Sequence, residues 1–239
     1  MDINQFEEAM HEFLKKINID LSKEQVKQFY DYMNLLIEYN KVMNLTAITE
    51  PKEIIIKHFI DSLTVLETIN KEDSIIDVGT GAGFPGIPIK IAYPKTKIVL
   101  LDSLNKRINF LNDVITKLKL ENISTIHGRA EELGRGNNHR EKYDIAIARA
   151  VAPLNILTEY LMPFVKINGK CICMKSANID SELEQSKNAI KVLGGTLERK
   201  TGFNLADTEY YRCIIEIKKI KELSKTYPRK PGTPSKKPL

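Results

Sequence analysis

Glycines stand at positions 79, 81, 83 and 86, directly after the apolar run Ser74-Ile75-Ile76-Asp77-Val78. A residue without Cβ lets the backbone turn sharply and lets a ligand come close to it. The stretch from Ile87 to Ile91 suits a helix whose N-terminus faces the same spot. Strand, glycine loop and helix together make the nucleotide-binding turn of an open α/β sheet, where ligands sit at the carboxyl ends of the strands. The residues just after each later apolar run are therefore the next candidates. Asp102 closes the run Ile98 to Leu101 and can accept from two ribose hydroxyls; it can equally cap a helix beginning near Asn105. Ala130 and Glu131 follow the third run and could meet an adenine, although Glu131-Glu132 also reads as the acidic first turn of a helix. Arg149 follows the fourth run. The plain alternative is a glycine turn without a ligand, but so many glycines weaken a turn unless something must approach closely.

The elements that must hold these residues alternate. Strands are expected near 74–78, 97–102, 123–127, 143–148 and 169–175, with helices between them that include 105–118 and 152–165. Such alternation predicts a parallel sheet covered on both faces. The end of the chain differs: Thr196–Thr201 and Tyr210–Lys218 follow one another with no helix between, which predicts an antiparallel hairpin at one edge. Residues 1–70 read as helical. Ser22-x-x-Gln25 is a capping box, and Val26, Phe29, Tyr30, Met33, Leu36 and Ile37 fall on one helical face. A third helix is expected from Pro51 to about Ile69. The expected organisation is a helical extension (1–70), a ligand-binding core (71–222) and a tail (223–239).

With 239 residues and 42% hydrophobic residues the chain can bury a sizeable core. Met1–Glu12 carries acids and lacks a basic, apolar leader, and no apolar run approaches the length of a membrane span, so a cytoplasmic protein is expected. Three cysteines, Cys171, Cys173 and Cys213, make no disulfide framework and no zinc pattern; Cys171 and Cys173 alternate as ordinary strand residues would. The net charge of +5 is carried entirely by residues 225–239, which hold Lys225, Arg229, Lys230, Lys236 and Lys237 and no acid. Four prolines in the same segment predict an extended tail, either solvated or in contact with phosphate.

The glycine loop has two common readings. Gly81–Gly86 satisfies the dinucleotide pattern G-x-G-x-x-G, and Asp77-x-Gly79-x-Gly81-x-Gly83 resembles the first motif of S-adenosylmethionine (SAM) methyltransferases. The spacing alone leaves both open. Seven strands ending in a hairpin are typical of class I SAM-dependent methyltransferases, a Rossmann-like, mostly parallel sheet with a C-terminal antiparallel hairpin, here with an N-terminal helical extension. A dehydrogenase would more often add a second domain for which little chain remains. The segment after the fourth strand, Arg149-Ala150-Val151-Ala152-Pro153-Leu154, lacks the Asn/Asp-Pro-Pro-aromatic pattern of amine methylation. It also lacks the cysteine that carbon-5 methylation of pyrimidines requires. An oxidoreductase that uses NAD and an RNA-binding protein with a vestigial pocket are the competing readings.

Asn44-Leu45-Thr46, His58-Phe59-Ile60-Asp61-Ser62-Leu63, Asp77 to Gly86, Arg149-Ala150-Val151-Ala152 and Arg229-Lys230-Pro231-Gly232-Thr233-Pro234 resemble the bacterial glucose-inhibited division protein B family over essentially the whole chain. Its members are small-subunit ribosomal RNA guanine-N7 methyltransferases. The resemblance implies SAM as cofactor, with 16S ribosomal RNA or the 30S subunit as partner. By the resemblance Gly79, Phe84, Ala130, Glu131 and Arg149 are expected at the cofactor, joined by Gly81, Gly83 and Asp102 from the reading of the glycine loop and the second strand end. The residues expected on the RNA side are His58, Asp61, Arg229, Lys230, Lys236 and Lys237, of which His58 and Asp61 should help shape the site without an assigned chemical step. Trimming 225–239 should weaken RNA binding and spare cofactor affinity. Guanine N7 holds a lone pair and no proton, so no general base is required and no metal is called for. A monomer is the default expectation.

Overall fold

The computed structural model describes residues 1–177 and 179–239. Its centre is one sheet of β1 (Ser74–Val78), β2 (Lys97–Asp102), β3 (Ile123–His127), β4 (Tyr143–Arg149), β5 (Val165–Lys175), β6 (Gly195–Asn204) and β7 (Tyr211–Lys219), in the order β3-β2-β1-β4-β5-β7-β6. The strands β1 to β5 pair in parallel, and β7 runs antiparallel to both β5 and β6. This is the class I methyltransferase architecture expected from the alternation and the terminal hairpin. Strand order reverses between β1 and β4, and the glycine loop and Arg149 end those two strands.

Period-two alternation sorts the core into two layers. Ile75, Ile98, Leu100, Ile145, Ile147, Ile172 and Ile214 face one side, where α2 (Lys23–Met43), α5 (Gly86–Ala92) and α6 (Asn105–Lys117) cover them together with α1 (Ile3–Lys16). Ile76, Val78, Ala146, Ala148, Cys171, Cys173, Ile215 and Ile217 face the other, under α8 (Leu154–Leu161) and α9 (Asp180–Val192). Cys171 and Cys173 are thus free, buried strand residues. The Ser22/Gln25 capping box forms at the start of α2. Gln25 also reaches past it to the carbonyls of Ile91 and Ala92 at 2.7 and 3.1 Å, tying the helical extension to the end of α5. No helix among the described residues is long and apolar enough to cross a membrane.

Three expectations need correction. The helix expected over Pro51 to Ile69 is broken into α3 (Pro51–Ile54), a π turn (Ile55–Ile60), α4 (Asp61–Leu63) and a 3₁₀ turn (Leu66–Thr68). In the π turn the Asp61 N–H bonds to the carbonyls of Ile56 and His58, and the Lys57 carbonyl receives Arg149 instead. The helix expected over 152–165 is shorter, because Pro153 disfavours helical backbone at the residue before it and Pro163 cannot donate to the helical ladder. The tail is not extended. Residues 233–236 form a short helix, α10 (Thr233–Lys236), and Pro228 and Pro234 are buried. The segment is moored by a forked ion pair between Arg229 and Glu159 (2.6–3.1 Å) and by Arg135 and Arg140, which donate to the carbonyls of Pro228 and Tyr227.

Candidate functional site

The loop after β1 bends back on β2: the N–H groups of Gly79 and Thr80 both donate to the Leu101 carbonyl (2.8 and 3.1 Å). Gly79, Gly81 and Gly83 all hold positive φ, which L side chains adopt at a cost. Their surroundings differ. A Cβ on Gly81 would meet nothing within 4 Å and would stand in open space above the cleft. A Cβ on Gly83 would lie 2.5 Å from Ile87 Cδ1 and 2.7 Å from the Tyr32 hydroxyl. Gly81 therefore leaves room for a ligand, whereas Gly83 leaves room for the protein's own packing and does not line the cleft. Beneath the loop, Asp77 Oδ2 accepts from Thr80 Oγ1 (2.6 Å) and the Gly86 N–H (2.8 Å). Its Oδ1 is buried with no partner among the described residues. Burial raises the Asp77 pKa to about 6, against the lowering effect of those hydrogen bonds.

Asp102, expected at a ribose, is buried and already engaged. It accepts from the Gly81 N–H (2.9 Å), the Leu104 N–H (2.9 Å) and Arg107 (3.3 Å). A carboxylate offers about four acceptor positions, so the capping role and a further ligand contact are compatible. Asp102 borders the two clefts on either side of it. Ala130 and Glu131 open α7 (Ala130–Leu133) and line the outer cleft with Tyr160. Glu131 Oε1 accepts the Gly232 N–H of the tail at 3.0 Å. The tail thus touches a residue expected at the cofactor, so trimming it is no longer expected to spare cofactor affinity. Arg229, expected at RNA phosphate, is neutralised by Glu159, while Lys230, Lys236 and Lys237 are exposed.

At the end of β4, Arg149 joins His58 and Asp61. Its Nη1 donates to Asp61 Oδ2 (2.9 Å) and the Lys57 carbonyl (3.1 Å), and its Nη2 lies 3.2 Å from His58 Nδ1. The other Asp61 oxygen accepts from Arg212 Nε (2.8 Å), so one buried carboxylate bridges two arginines. Phe84 is stacked on the His58 ring, with centroids 4.5 Å apart, and the Arg149 guanidinium lies 5.0 Å over its face. Burial, then the Arg149 charge, lowers the His58 pKa to about 3, so the ring is neutral at physiological pH.

Three clefts adjoin along this edge of the sheet. The outer one, of about 220 Å³, runs from Gly79 to Ala130, Glu131 and Tyr160. The middle one, of about 470 Å³, lies over Gly79–Ala82 between Asp102 and Arg149. The largest, of about 590 Å³, lies beyond Arg149 and is bordered by Lys57, Asp61, Lys175, Glu182 and Arg212. Sequence reading missed Lys57, Lys175 and Arg212. Arg212 is separated from Asp61 by 151 positions and carried no local signal. Thr46 stood in a motif without a role, and in the structure it lines the middle cleft.

A family model described as rRNA small subunit methyltransferase G matches residues 25–210. The chain is 53% identical over 228 residues to a "Ribosomal RNA small subunit methyltransferase G" of Lachnoclostridium phytofermentans, covering 95% of this chain and 94% of the relative. A relative of the same name from Bacillus licheniformis is 47% identical over 241 residues, covering 100% and 99%. The chain belongs to the rRNA small subunit methyltransferase G family. Membership makes it a methyltransferase and sets aside the oxidoreductase reading. Among solved structures, a SAM-dependent methyltransferase from Aquifex aeolicus superposes with a TM-score of 0.54 at 16% identity, over 73% of this chain and 96% of that one. That likeness is one of fold. In this family member the glycine loop, Asp102, Arg149 and the His58 turn therefore sit where class I methyltransferases have their switch point, with a cationic cleft alongside.

Proposed function

We propose that this family member transfers a methyl group from SAM to N7 of a guanine in the decoding-region loop of 16S ribosomal RNA, in the cytoplasm. One observation carries the choice of acceptor: among the described residues, no carboxylate or imidazole bordering the large cleft is free to act as a base. Asp61 is bridged by Arg149 and Arg212, Glu182 is paired with Lys175, and His58 is neutral with Nδ1 turned to Arg149. An amine or hydroxyl acceptor must lose a proton, whereas guanine N7 has none to lose.

The residues present fit the cofactor. Open space stands over Gly81, the Asp102 carboxylate keeps acceptor capacity toward the cleft, and the outer cleft ends at Ala130 and Glu131. In this reading Gly79, Gly81, Phe84 and Asp102 hold the nucleoside and methionine parts, Ala130 and Glu131 the adenine, and Gly83 supports the loop from below. Segment 71–222 is the cofactor-binding core, 1–70 a helical extension packed on it, and 223–239 a docked tail. When bound, SAM supplies an electrophilic methyl on a sulfonium. The chain's part is to align acceptor, methyl and sulfur, and positioning of this kind supplies roughly 7–11 kcal/mol at best. Arg149 is held back by Asp61, so its charge is compensated where the methylated base becomes cationic. Lys57, Lys175 and Arg212 border the cleft where RNA phosphates would lie, and Lys230, Lys236 and Lys237 extend the basic surface.

The test is methyl transfer from labelled SAM to small-subunit RNA and to 30S particles lacking their modifications, followed by nucleoside analysis. Label in 7-methylguanosine supports both reaction and atom. Label in another nucleoside would overturn the acceptor, and no label on either substrate would overturn the reaction.

A further inference from the structure

Thr46 lies on the loop between α2 and α3, and all but one of its polar groups are fixed. Its N–H donates to Asn40 Oδ1 and its carbonyl accepts from Asn40 Nδ2, both at 2.9 Å. Its hydroxyl oxygen accepts from the Ile48 N–H (3.0 Å) and lies 2.9 Å from His58 Nε2. The direction of that last bond is decided across the ring. A guanidinium can only donate, so Arg149 makes His58 Nδ1 an acceptor, and the proton of the neutral ring sits on Nε2 and points at Thr46 Oγ1. The hydroxyl oxygen thus receives two donors. Its own O–H is left as a donor, and none of the described residues accepts from it.

Thr46 lines the middle cleft, with Gly79–Ala82 and Asp102, and not the large cleft beyond Arg149. On the cofactor reading above, on which this inference rests, the adenosine runs from Asp102 outward to Glu131, which leaves the methionine part the rest of the middle cleft, lined by Thr46, His58 and Phe84. Within that part the ammonium can only donate and the sulfonium accepts poorly, which leaves the carboxylate as the acceptor for a hydroxyl proton. We propose that Thr46 is a cofactor-binding residue whose hydroxyl donates to the methionine carboxylate of SAM, held in that sense by the chain Arg149, His58, Thr46. Asn40 and Ile48 keep it in place before the ligand arrives, so little ordering accompanies the contact.

The experiment is calorimetric titration of the wild type, Thr46→Val and Thr46→Ser with two probes: S-adenosylhomocysteine, and its analogue that keeps the amine but lacks the carboxylate. A hydrogen bond to a charged acceptor is worth about tenfold in affinity or more. The wild type should prefer S-adenosylhomocysteine over the analogue by at least about tenfold. Thr46→Val should lose about tenfold for the first probe and change within about twofold for the second, and Thr46→Ser should keep both affinities. Equal weakening of both probes by Thr46→Val, no weakening of either, or a wild type that binds the two alike would each overturn the proposal. A rise in RNA KM alone would do so too, since the donor would then serve the base. A wild type that binds neither probe would instead overturn the cofactor reading. Thr46→Ala replaces the valine variant should the latter fail to fold.

Discussion

Arg229 separates two accounts of the C-terminal tail. Charge counting makes it a phosphate contact, whereas the structure makes it the partner of a buried acid. The Glu159 side chain is 1% exposed and that of Arg229 is 23% exposed. Arg229 Nε lies 3.0 and 3.1 Å from the two carboxylate oxygens and Nη2 lies 2.6 Å from Oε2, with the Arg229 backbone N–H adding a bond of 2.8 Å to Oε1. Arg229→Ala keeps the backbone bond and strands the carboxylate. Breaking a buried pair on one side costs about 3–5 kcal/mol, and the partial exposure of the arginine places this case near the lower figure. For a domain of this size about 3 kcal/mol corresponds to a fall of roughly 6–12 °C in Tm. The double variant Arg229→Ala/Glu159→Gln should recover at least about 1 kcal/mol, because the penalty belongs to the stranded charge. The deficit of the single variant should also shrink on acidification. An unpaired buried carboxylate has its folded pKa raised, so the native state gains protons that the unfolded chain takes up only at lower pH. Thermal melts at two pH values and a salt titration of RNA binding decide the matter. A Tm unchanged within about 1 °C, together with a salt slope reduced by about one phosphate contact, would refute the buried-pair argument.

The two inner glycines should fail differently. Gly83→Ala should destabilise the fold by about 2–4 kcal/mol, from overpacking against Tyr32 and Ile87 plus backbone strain, read by denaturant unfolding. Gly81→Ala should cost only about 1 kcal/mol of strain yet lower affinity for S-adenosylhomocysteine at least about tenfold, because its Cβ enters the cleft. His58, with its pKa lowered to about 3, binds fewer protons folded than unfolded between pH 6.5 and 3, so it contributes a loss of stability as pH falls through that window. His58→Gln should make the acid limb of a stability–pH curve shallower, by up to about 1.4 kcal/mol per pH unit. Asp77, raised to about 6, works in the opposite sense below that pH, so Asp77→Asn should make the limb steeper. Replacing Lys230, Lys236 and Lys237 by Gln should leave Tm within about 2 °C, since each is exposed, and reduce the salt slope of RNA binding by up to about three contacts.

What could be read from the sequence was whatever depends on neighbours along the chain. Ile75, Ile76 and Val78 announce a buried strand, the glycines that follow announce a close approach, and the Ser22/Gln25 box announces the start of α2, because each signal lies within a few residues of its effect. The pairings that complete the site have no such signature. Asp61 meets Arg212 across 151 positions, and Glu159 meets Arg229 across 70. A trace was present in the second case. Glu159 lies in the apolar run Leu154-Asn155-Ile156-Leu157-Thr158-Glu159-Tyr160-Leu161, and a carboxylate on a buried helix needs a partner. Read together with a tail that holds cations and no acids, that residue calls for a cation from the tail. Proline content reports that a segment cannot extend a helix or sheet ladder, but it says nothing about whether side chains dock it. Once Arg229 is spent inside, the exposed surplus of residues 225–239 is Lys225, Lys230, Lys236 and Lys237. All four sit on a segment fastened to Glu159 and Glu131 beside the outer cleft. The basic surface is then a fixed patch whose place relative to the outer cleft is set by two buried acids. An RNA held by it would meet the cleft at a defined distance, which a free tail could not impose.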